Sequence, residues 1–558
     1  MSSESIMPPG AHNQTEVFAI HGADPEVLAY AMAKYSRSAL SMRESLAEIS
    51  SQRAEQFLNT FYFQYGHRSI ADLAHVAMAV ERLSLLAAIV LVDEQRWDGQ
   101  ERSTRYQNFL NSGWFFPDFG ADSASAQLYS ETVEGLFDAY KRVKDAVFDA
   151  LRRRVACPEG MKPEAYERTL KARAFDVARY LLPLATNTSL GQIVNARTLE
   201  TQVSRLLSHP AAEVRDLGLK LREAATGPAW KVNAQAGAAF VEKIAATEKL
   251  EPEGGGGFNP RIKPAEATGA SAPEGGFSSL SAEAANLLTR EVRSAPTLVK
   301  YAQPNHYEIQ TRAELAQAAA ELLCGQSIAV APVIDLVERT EPLEVELATT
   351  LLYSASHHPF RQIRDLVSGL PASRVSEIIE LGLRHRGSHD EALRVFHAGA
   401  ALRFDILMDI GGFRDMHRHR RCTQIIQPLS ALHGYETPTS GDLGPEINIL
   451  AEAGVLADYQ SAIEATHAAS AQIAVSQAPE AAQSALYLLP LATRCLSLFK
   501  MDFAEAQYII ELRSGPAGHF SYRRVAWEMF LALQRQHPTL AQHICVTDFT
   551  QPIDLLKR

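Results

Sequence analysis

Tyr180-Leu181-Leu182-Pro183-Leu184-Ala185-Thr186 recurs letter for letter as Tyr487-Leu488-Leu489-Pro490-Leu491-Ala492-Thr493. Upstream, Tyr35-Ser36 and His67-Arg68 align without a gap on Tyr353-Ser354 and His385-Arg386, each 318 positions further on. Seven identical residues in order are improbable by chance in a chain of 558. Two copies of one domain in tandem is the simplest reading. The polar residues that look functional are divided unequally between the copies.

Working outward, each copy opens alike. Val17-Phe18-Ala19-Ile20 reads as a strand. Asp24-Pro25 then starts a helix, with Asp24 as cap and Pro25 in the first turn. Val27, Leu28, Ala31 and Met32 are its apolar face. In the second copy Val333-Ile334-Asp335-Leu336-Val337 is the strand and Glu341-Pro342 the turn, followed by helical apolar positions Val345, Leu347, Ala348, Leu351 and Leu352. An apolar helix with Leu73, Val76, Ala77 and Val80 is expected after His67. The longest apolar run, Leu83 to Val92, is too short to span a bilayer and reads as a buried helix or strand. Most of the remainder has helical periodicity with few strands. The fold class is therefore α+β, largely helical, with two tandem domains that each pack helices on a small sheet. The expected boundaries are 15–248 and 328–558, separated by 249–281 and a helical segment at 282–327. The Gly-, Pro- and Ser-rich stretch, with Gly254 to Gly257 in a row, buries too little apolar surface to offset its ordering entropy and reads as a flexible insertion.

Bulk composition bounds the function. Hydrophobic content of 46% and charged content of 21% fit a soluble globular chain. A net charge of −11 argues against a general nucleic-acid binder. Cys157, Cys324, Cys422, Cys495 and Cys545 form no C-x-x-C pair, so neither a disulfide framework nor a zinc finger is indicated, and a reducing cytoplasm is expected. Met1 to Gly10 lacks the basic and apolar regions of a signal peptide.

Two strings carry chemistry. In Glu101-Arg102-Ser103-Thr104-Arg105-Tyr106, a carboxylate, a hydroxyl and a guanidinium alternate, so an extended segment points them to one side. Together they suit a small polar ligand, with the arginine clamping a phosphate; a solvated loop is the alternative. In His417-Arg418-His419-Arg420-Arg421, adjacent cations call for a nearby anion such as a phosphate or diphosphate. A nucleic-acid patch competes with that reading, as does a metal site from His417, His419 and Cys422, whose spacing fits no zinc pattern. Cys422 beside Arg421 is the thiol in which a lowered pKa is expected. Arg179 can pair with Asp176 at i−3, and Arg513 with Glu511 or Asp502.

The chain resembles a tandem duplication of the flavin-dependent thymidylate synthase family (ThyX), whose signature is R-H-R-x-x-S-x-N-E-x-S-x-R-Y. The first copy contains Gly66-His67-Arg68-Ser69, Glu101-x-Ser103-x-Arg105-Tyr106, Ala178-Arg179-x-x-Leu182-Pro183 and Asn195-Ala196-Arg197-Thr198-Leu199. The second contains Arg418-His419-Arg420, Leu488-Leu489-Pro490 and Arg513. Where the first copy should carry R-H-R it has Asp93-Glu94-Gln95. Where the second should carry E-x-S-x-R-Y it has Gln427-Pro428-Leu429-Ser430, then His433-Gly434-Tyr435. Asp502 replaces the asparagine, Leu486 stands opposite Arg179, and Leu206 stands opposite Arg513, with Arg205 one place short.

The resemblance implies a divided site. Glu101, Ser103, Arg105, Arg179 and Arg513 would hold deoxyuridylate. His67, Ser69, Asn195, Arg418, His419 and Arg420 would hold FAD, and Arg418 and Ser103 would act on the reacting ring. It implies reductive methylation of dUMP to dTMP, with methylenetetrahydrofolate as one-carbon donor and NADPH as reductant, and no metal. A homodimer would restore a four-domain assembly. A degenerate member that binds flavin or nucleotide without turnover, or serves as a scaffold, is the competing expectation.

Overall fold

The computed structural model describes residues 24–34, 68–94, 96–230, 292–305, 309, 332–336, 342–354, 366–384, 396, 402–438 and 448–556. The strand expected at Val17–Ile20, the pairs Tyr35-Ser36 and His385-Arg386, His67 and the Gly-rich stretch lie outside them. By contact the chain parts into two compact units. The smaller comprises Met1–Val76, Asn195–Thr201 and Leu219–Ala302; the larger comprises Ala77–Val194, Gln202–Gly218 and Gln303–Arg558. These units cut across the repeat, because the larger contains most of both copies.

In the larger unit the two identical heptads meet. They run antiparallel about a bridge between Pro183 and Pro490. Leu184 and Ala185 donate to the carbonyls of Leu489 and Tyr487 at 3.0 and 2.8 Å, and Leu491 and Ala492 return the pattern to Leu182 and Tyr180 at 3.0 and 3.1 Å. One sequence pairing with itself in opposite directions is what a pseudo-twofold requires. The leucines of both heptads are buried in one core, where each apolar side chain contributes about 1.5–3 kcal/mol.

Each repeat supplies a small sheet. In the first, β1 (His75–Ser84), β2 (Asp98–Glu101) and β3 (Asn187–Asn195) lie in the order β1-β3-β2. In the second, β4 (Ile334–Leu336), β5 (Leu402–Asp409), β6 (Thr423–Ile426) and β7 (Arg494–Met501) lie in the order β4-β5-β7-β6. β2 pairs with β3 from Asp98 opposite Ile193 to Glu101 opposite Leu190, and β6 pairs with β7 from Thr423 opposite Lys500 to Ile426 opposite Ser497. Helices surround them, the longest spanning Ser123–Arg154. The α+β, largely helical reading holds. No helix among the described residues is long and apolar enough to cross a membrane.

Local chemistry explains where the sequence reading bends. The segment around Val76 and Val80 is strand, not helix. Val76 and Val80, four apart, share the inward face of a strand as they would that of a helix, while Ala77 is exposed and Leu73 belongs to the preceding 3-10 turn; Arg82 then takes φ +59°, in the left-handed region, and the inward face shifts to Leu83. The helix Leu85–Leu91 follows with all but one of its residues buried, and Ser84 caps it by accepting from Ala87 N–H. In the smaller unit the helix Pro25–Lys34 forms as expected, but it buries Ala29, Ala31 and Glu26 rather than Val27, Leu28 and Met32. Glu26 accepts from the backbone N–H groups of Thr297 and Leu298 at 2.9 and 2.8 Å. Residues 292–305, expected to be helical, are turns and a bridge from Arg293 to Pro228. Pro296 and Pro304 remove the donors a helix would need.

Candidate functional site

Arg179 directly precedes the first heptad, so the heptad crossing delivers it to the second repeat. The helix Pro163–Ala178 ends there in a 3-10 turn. Arg179 is 2% exposed, and its Nη1 meets Asp415 Oδ2 at 3.1 Å. Its Nε and Nη2 have no hydrogen-bond partner among the described residues. The close approach depends on Gly411, in the helix Ile410–Met416. A Cβ there would stand 3.1 Å from Asp409 Oδ1 and 3.4 Å from Arg179 Nη2. Burial is the largest influence and opposes the Arg179 charge, but Asp415, Asp176 and Asp409 together outweigh it and raise the pKa. Burial likewise pushes the Asp415 carboxyl up, yet Arg179, Arg105, Arg513 and Arg418 together hold it at about 2.

Arg105 sits in the turn after β2. Its Nε and Nη2 donate to the two oxygens of Asp176 at 2.8 and 3.2 Å, its Nη1 to Tyr522 Oη at 2.7 Å, and its Nη2 also to the Ala517 carbonyl at 3.1 Å. Arg105 is therefore a partner of Asp176, while Arg179 makes its ion pair with Asp415. Ser103 Oγ accepts from the Arg105 N–H at 3.3 Å, and Glu101 takes the guanidinium of Arg414. Glu101 and Arg105 of the first repeat thus face residues 414, 517 and 522 of the second.

Arg513 completes the cluster. Its Nε donates to His419 Nε2 and its Nη2 to the Asp415 carbonyl, both at 2.8 Å, and its guanidinium lies 5.3 Å from the Tyr522 ring centre. These partners replace the expected Glu511 and Asp502. His419 Nε2 accepts, so the proton is on Nδ1, which faces Glu505 Oε1 at 3.6 Å. Burial, and then Arg513, pull the His419 pKa below its ordinary value. His519, fully buried, is pushed well below its ordinary value by burial and then by Arg179. Its Nε2 donates to the Asp176 carbonyl at 2.8 Å.

The run His417–Arg421 is therefore not a row of five cations. His417 and His419 are buried, and the His417 pKa is lowered by burial. Arg420 lies 5.1 Å from the Trp97 ring centre and donates to the His417 carbonyl at 2.8 Å. Arg418 and Arg421 are exposed; Arg418 makes no hydrogen bond or ion pair among the described residues, while Arg421 stands 3.8 Å from Glu505. The Cys422 expectation is overturned, because burial pushes the thiol up to about 12. Among the described residues no group of three or more His, Cys, Asp or Glu could hold a metal.

Other expected residues fall elsewhere. Ser69 lies in the 3-10 turn Arg68–Leu73 of the smaller unit. Asn195, also of that unit, caps the helix Ala196–Leu207 by accepting from Thr198 N–H at 2.8 Å. Asp502 does the same for the helix Phe503–Ser514, accepting from Glu505 N–H at 2.8 Å, so the asparagine-to-aspartate departure leaves the cap intact. Arg205, one place short, still reaches the Val90 carbonyl at 2.8 Å, the counterpart of the Asp415 carbonyl held by Arg513, and Glu94 at 2.9 Å.

Sequence reasoning missed Asp415, Arg414, Tyr522 and His519. The one signal for them is Gly411-Gly412 in the short helix Ile410–Met416, marking a close approach.

The profile of the thymidylate synthase complementing proteins matches residues 19–227 and 336–539. A UPF0159 protein of Chlamydia pneumoniae is 25% identical over 97% of this chain and 93% of its own length. One from Thermoplasma acidophilum is 23% identical over 93% of this chain and 94% of its own. A flavin-dependent thymidylate synthase of Clostridium tetani is 27% identical over 32% of this chain and 67% of its own. The two profile matches fall on the two halves that the repeated heptad defines, and the chain belongs to the Thy1 family of thymidylate synthase complementing proteins.

Proposed function

We propose that this chain binds a pyrimidine nucleotide and FAD at one pocket composed from both repeats, and methylates deoxyuridylate reductively. The observation that carries the reading is Arg179: a buried guanidinium with two unpartnered nitrogens, close to Arg105 and sharing Asp415 with Arg105 and Arg513. Unsatisfied buried donors of this kind suit an anion. The likeness to the Clostridium tetani protein, named for flavin-dependent thymidylate synthesis, supports the choice of reaction.

FAD, reduced by NADPH, would supply the hydride, and methylenetetrahydrofolate the carbon. The exposed Arg418 and the half-buried Arg420 suit the anionic part of the flavin dinucleotide. In this reading Arg179 and Arg513 bind the nucleotide phosphate, while His419, neutral, orients Arg513. Glu101 and Ser103 hydrogen-bond the nucleotide, and Glu101 holds Arg414 in place. Tyr522 and Asp176 fix the plane of Arg105, which limits it to steering the anion. Ser103 has no base beside it, so it binds rather than attacks. Pairing of two chains would restore four repeats, which sedimentation would test.

Purified protein should be yellow, release tritium from 5-tritiated deoxyuridylate, and rescue a thymidine-requiring host. A colourless protein that takes up no FAD and rescues nothing overturns the reading. A second reading, a member that binds nucleotide without turnover, is favoured by one observation: Asp176 and Asp415 already neutralise Arg105 and Arg179. Nucleotide binding without tritium release would select it.

A further inference from the structure

We propose that the second repeat carries a further binding site, a cleft at Glu436 and Arg524 that takes a small, neutral, planar lactam, a ring with an N–H beside a C=O. The inference is independent of the nucleotide reading and concerns a different set of side chains.

The two repeats place the same backbone here. Phe115 N–H donates to the Ala185 carbonyl and Glu436 N–H to that of Ala492, both at 2.8 Å. Tyr129 Oη donates to the Phe115 carbonyl at 2.9 Å, and Tyr459 Oη to that of Glu436 at 2.7 Å. Phe115 and Glu436 are therefore counterparts across the pseudo-twofold. The Phe115 side chain packs, its ring centre 4.8 Å from that of Tyr487. Glu436 instead pairs with Arg524, Oε1 to Nη1 at 3.0 Å. Arg524 is the fifth residue of the helix Phe520–Gln536, and the fifth residue of the matching helix Ala212–Thr226 is Asp216. Both members of the ion pair belong to the second repeat alone.

The exchange coincides with a cleft of about 470 Å³, mouth included, within the range of small-molecule sites. Glu436, Thr437 and Arg524 line it, with Phe520, Phe549 and Pro438 as apolar walls. Asp409 also lines it but is already satisfied, accepting from Gly412 N–H, Tyr180 Oη and Ser521 Oγ. Recognition therefore falls to the ion pair. Among the described residues Glu436 Oε2 and Arg524 Nη2 make no hydrogen bond, which leaves an acceptor beside a donor.

A carboxylate and a guanidinium that already pair offer no net charge, so an ionic ligand would have to split them. A lactam need not. Its N–H donates to Glu436, its C=O accepts from Arg524, and its flat face suits the aromatic walls. Burial pushes the Glu436 carboxyl up, against Arg524 and together with Asp409. An added N–H donor stabilises a carboxylate that solvent reaches poorly.

The test is calorimetric titration of the full chain with isocarbostyril, a bicyclic lactam, and with its N-methyl derivative, which keeps the ring and lacks the N–H. Isocarbostyril should bind, and the methylated ring should bind about tenfold more weakly. Glu436→Gln should weaken isocarbostyril about tenfold. Glu436→Phe, importing the residue of the first repeat, should abolish binding; should it not melt like the wild type, Glu436→Gln decides alone. No binding to the wild-type chain overturns the proposal, as does equal affinity for the two rings or unchanged affinity in Glu436→Gln. Binding that is lost in Arg179→Gln but kept in Glu436→Gln would put the ring in the arginine cluster and overturn it as well.

Discussion

Arg205 and Arg513 occupy the same joint in the two repeats, and they end in different states. Each grips the carbonyl of the sixth residue of the short helix that follows a strand, Val90 in one repeat and Asp415 in the other. Arg205 then closes on Glu94, whereas Arg513 closes on His419. A carboxylate cancels the guanidinium charge. A neutral imidazole accepts one hydrogen bond and leaves the charge in place. Burial lowers the His419 pKa, and that is what keeps the imidazole neutral. One repeat has thus turned its cation into a brace, while the other has kept it for use.

The largest effect should appear where the repeats are alike. Leu184→Ala and Leu491→Ala each empty a fully buried site in the crossing. Urea unfolding should show a loss of about 2–5 kcal/mol for either. Unequal costs would mean that the pseudo-twofold is not shared by the packing around it.

His419→Glu breaks the comparison directly, because it gives the second repeat the brace of the first. Deoxyuridylate affinity should fall about a hundredfold, and the melting temperature should fall as well because the new carboxylate meets the buried Glu505. Full retention of binding would remove Arg513 from the pocket.

Acidity sharpens the same contrast. The folded pKa of His419 lies below the ordinary 6.5. The unfolded chain therefore binds the proton more readily, so this contribution to stability is complete above that value and is lost as pH falls below it. His519 acts in the same direction. Urea midpoints should decline as the buffer is taken from about pH 7 to about pH 5, and His419→Gln should flatten that slope. A variant with the wild-type slope would show that His419 keeps its ordinary pKa.

The smallest effect concerns the caps. Asn195→Ala and Asp502→Ala should each cost about 1 kcal/mol by thermal melting, since each removes one acceptor at a helix start. A loss of flavin in Asn195→Ala beyond that stability change would give the residue a second role.

The repeated heptad made the pairing of copies legible, because a sequence identical to itself can cross itself. The positions of Glu101, Arg105, Arg179 and Arg513 were legible from their order along the chain. Their partners were not. Asp415 meets Arg179 across 236 positions, and no local spacing announces such a pair. The strand at His75–Ser84 hid because Val76 and Val80, four apart, share a face in a strand as they do in a helix. Arg205 looked misplaced by one residue, yet a long flexible side chain absorbs one step along a helix. The cationic run misled because charge was counted by residue type, and desolvation had already neutralised its two histidines.

Because the crossing at Pro183 and Pro490 joins unlike copies within one polypeptide, a mutation enters the molecule once. In an assembly of identical subunits every replacement is imposed on both sides of the axis. Here Gly411 thins one short helix while Leu86 thickens its twin, an asymmetry open only to a gene that carries both halves.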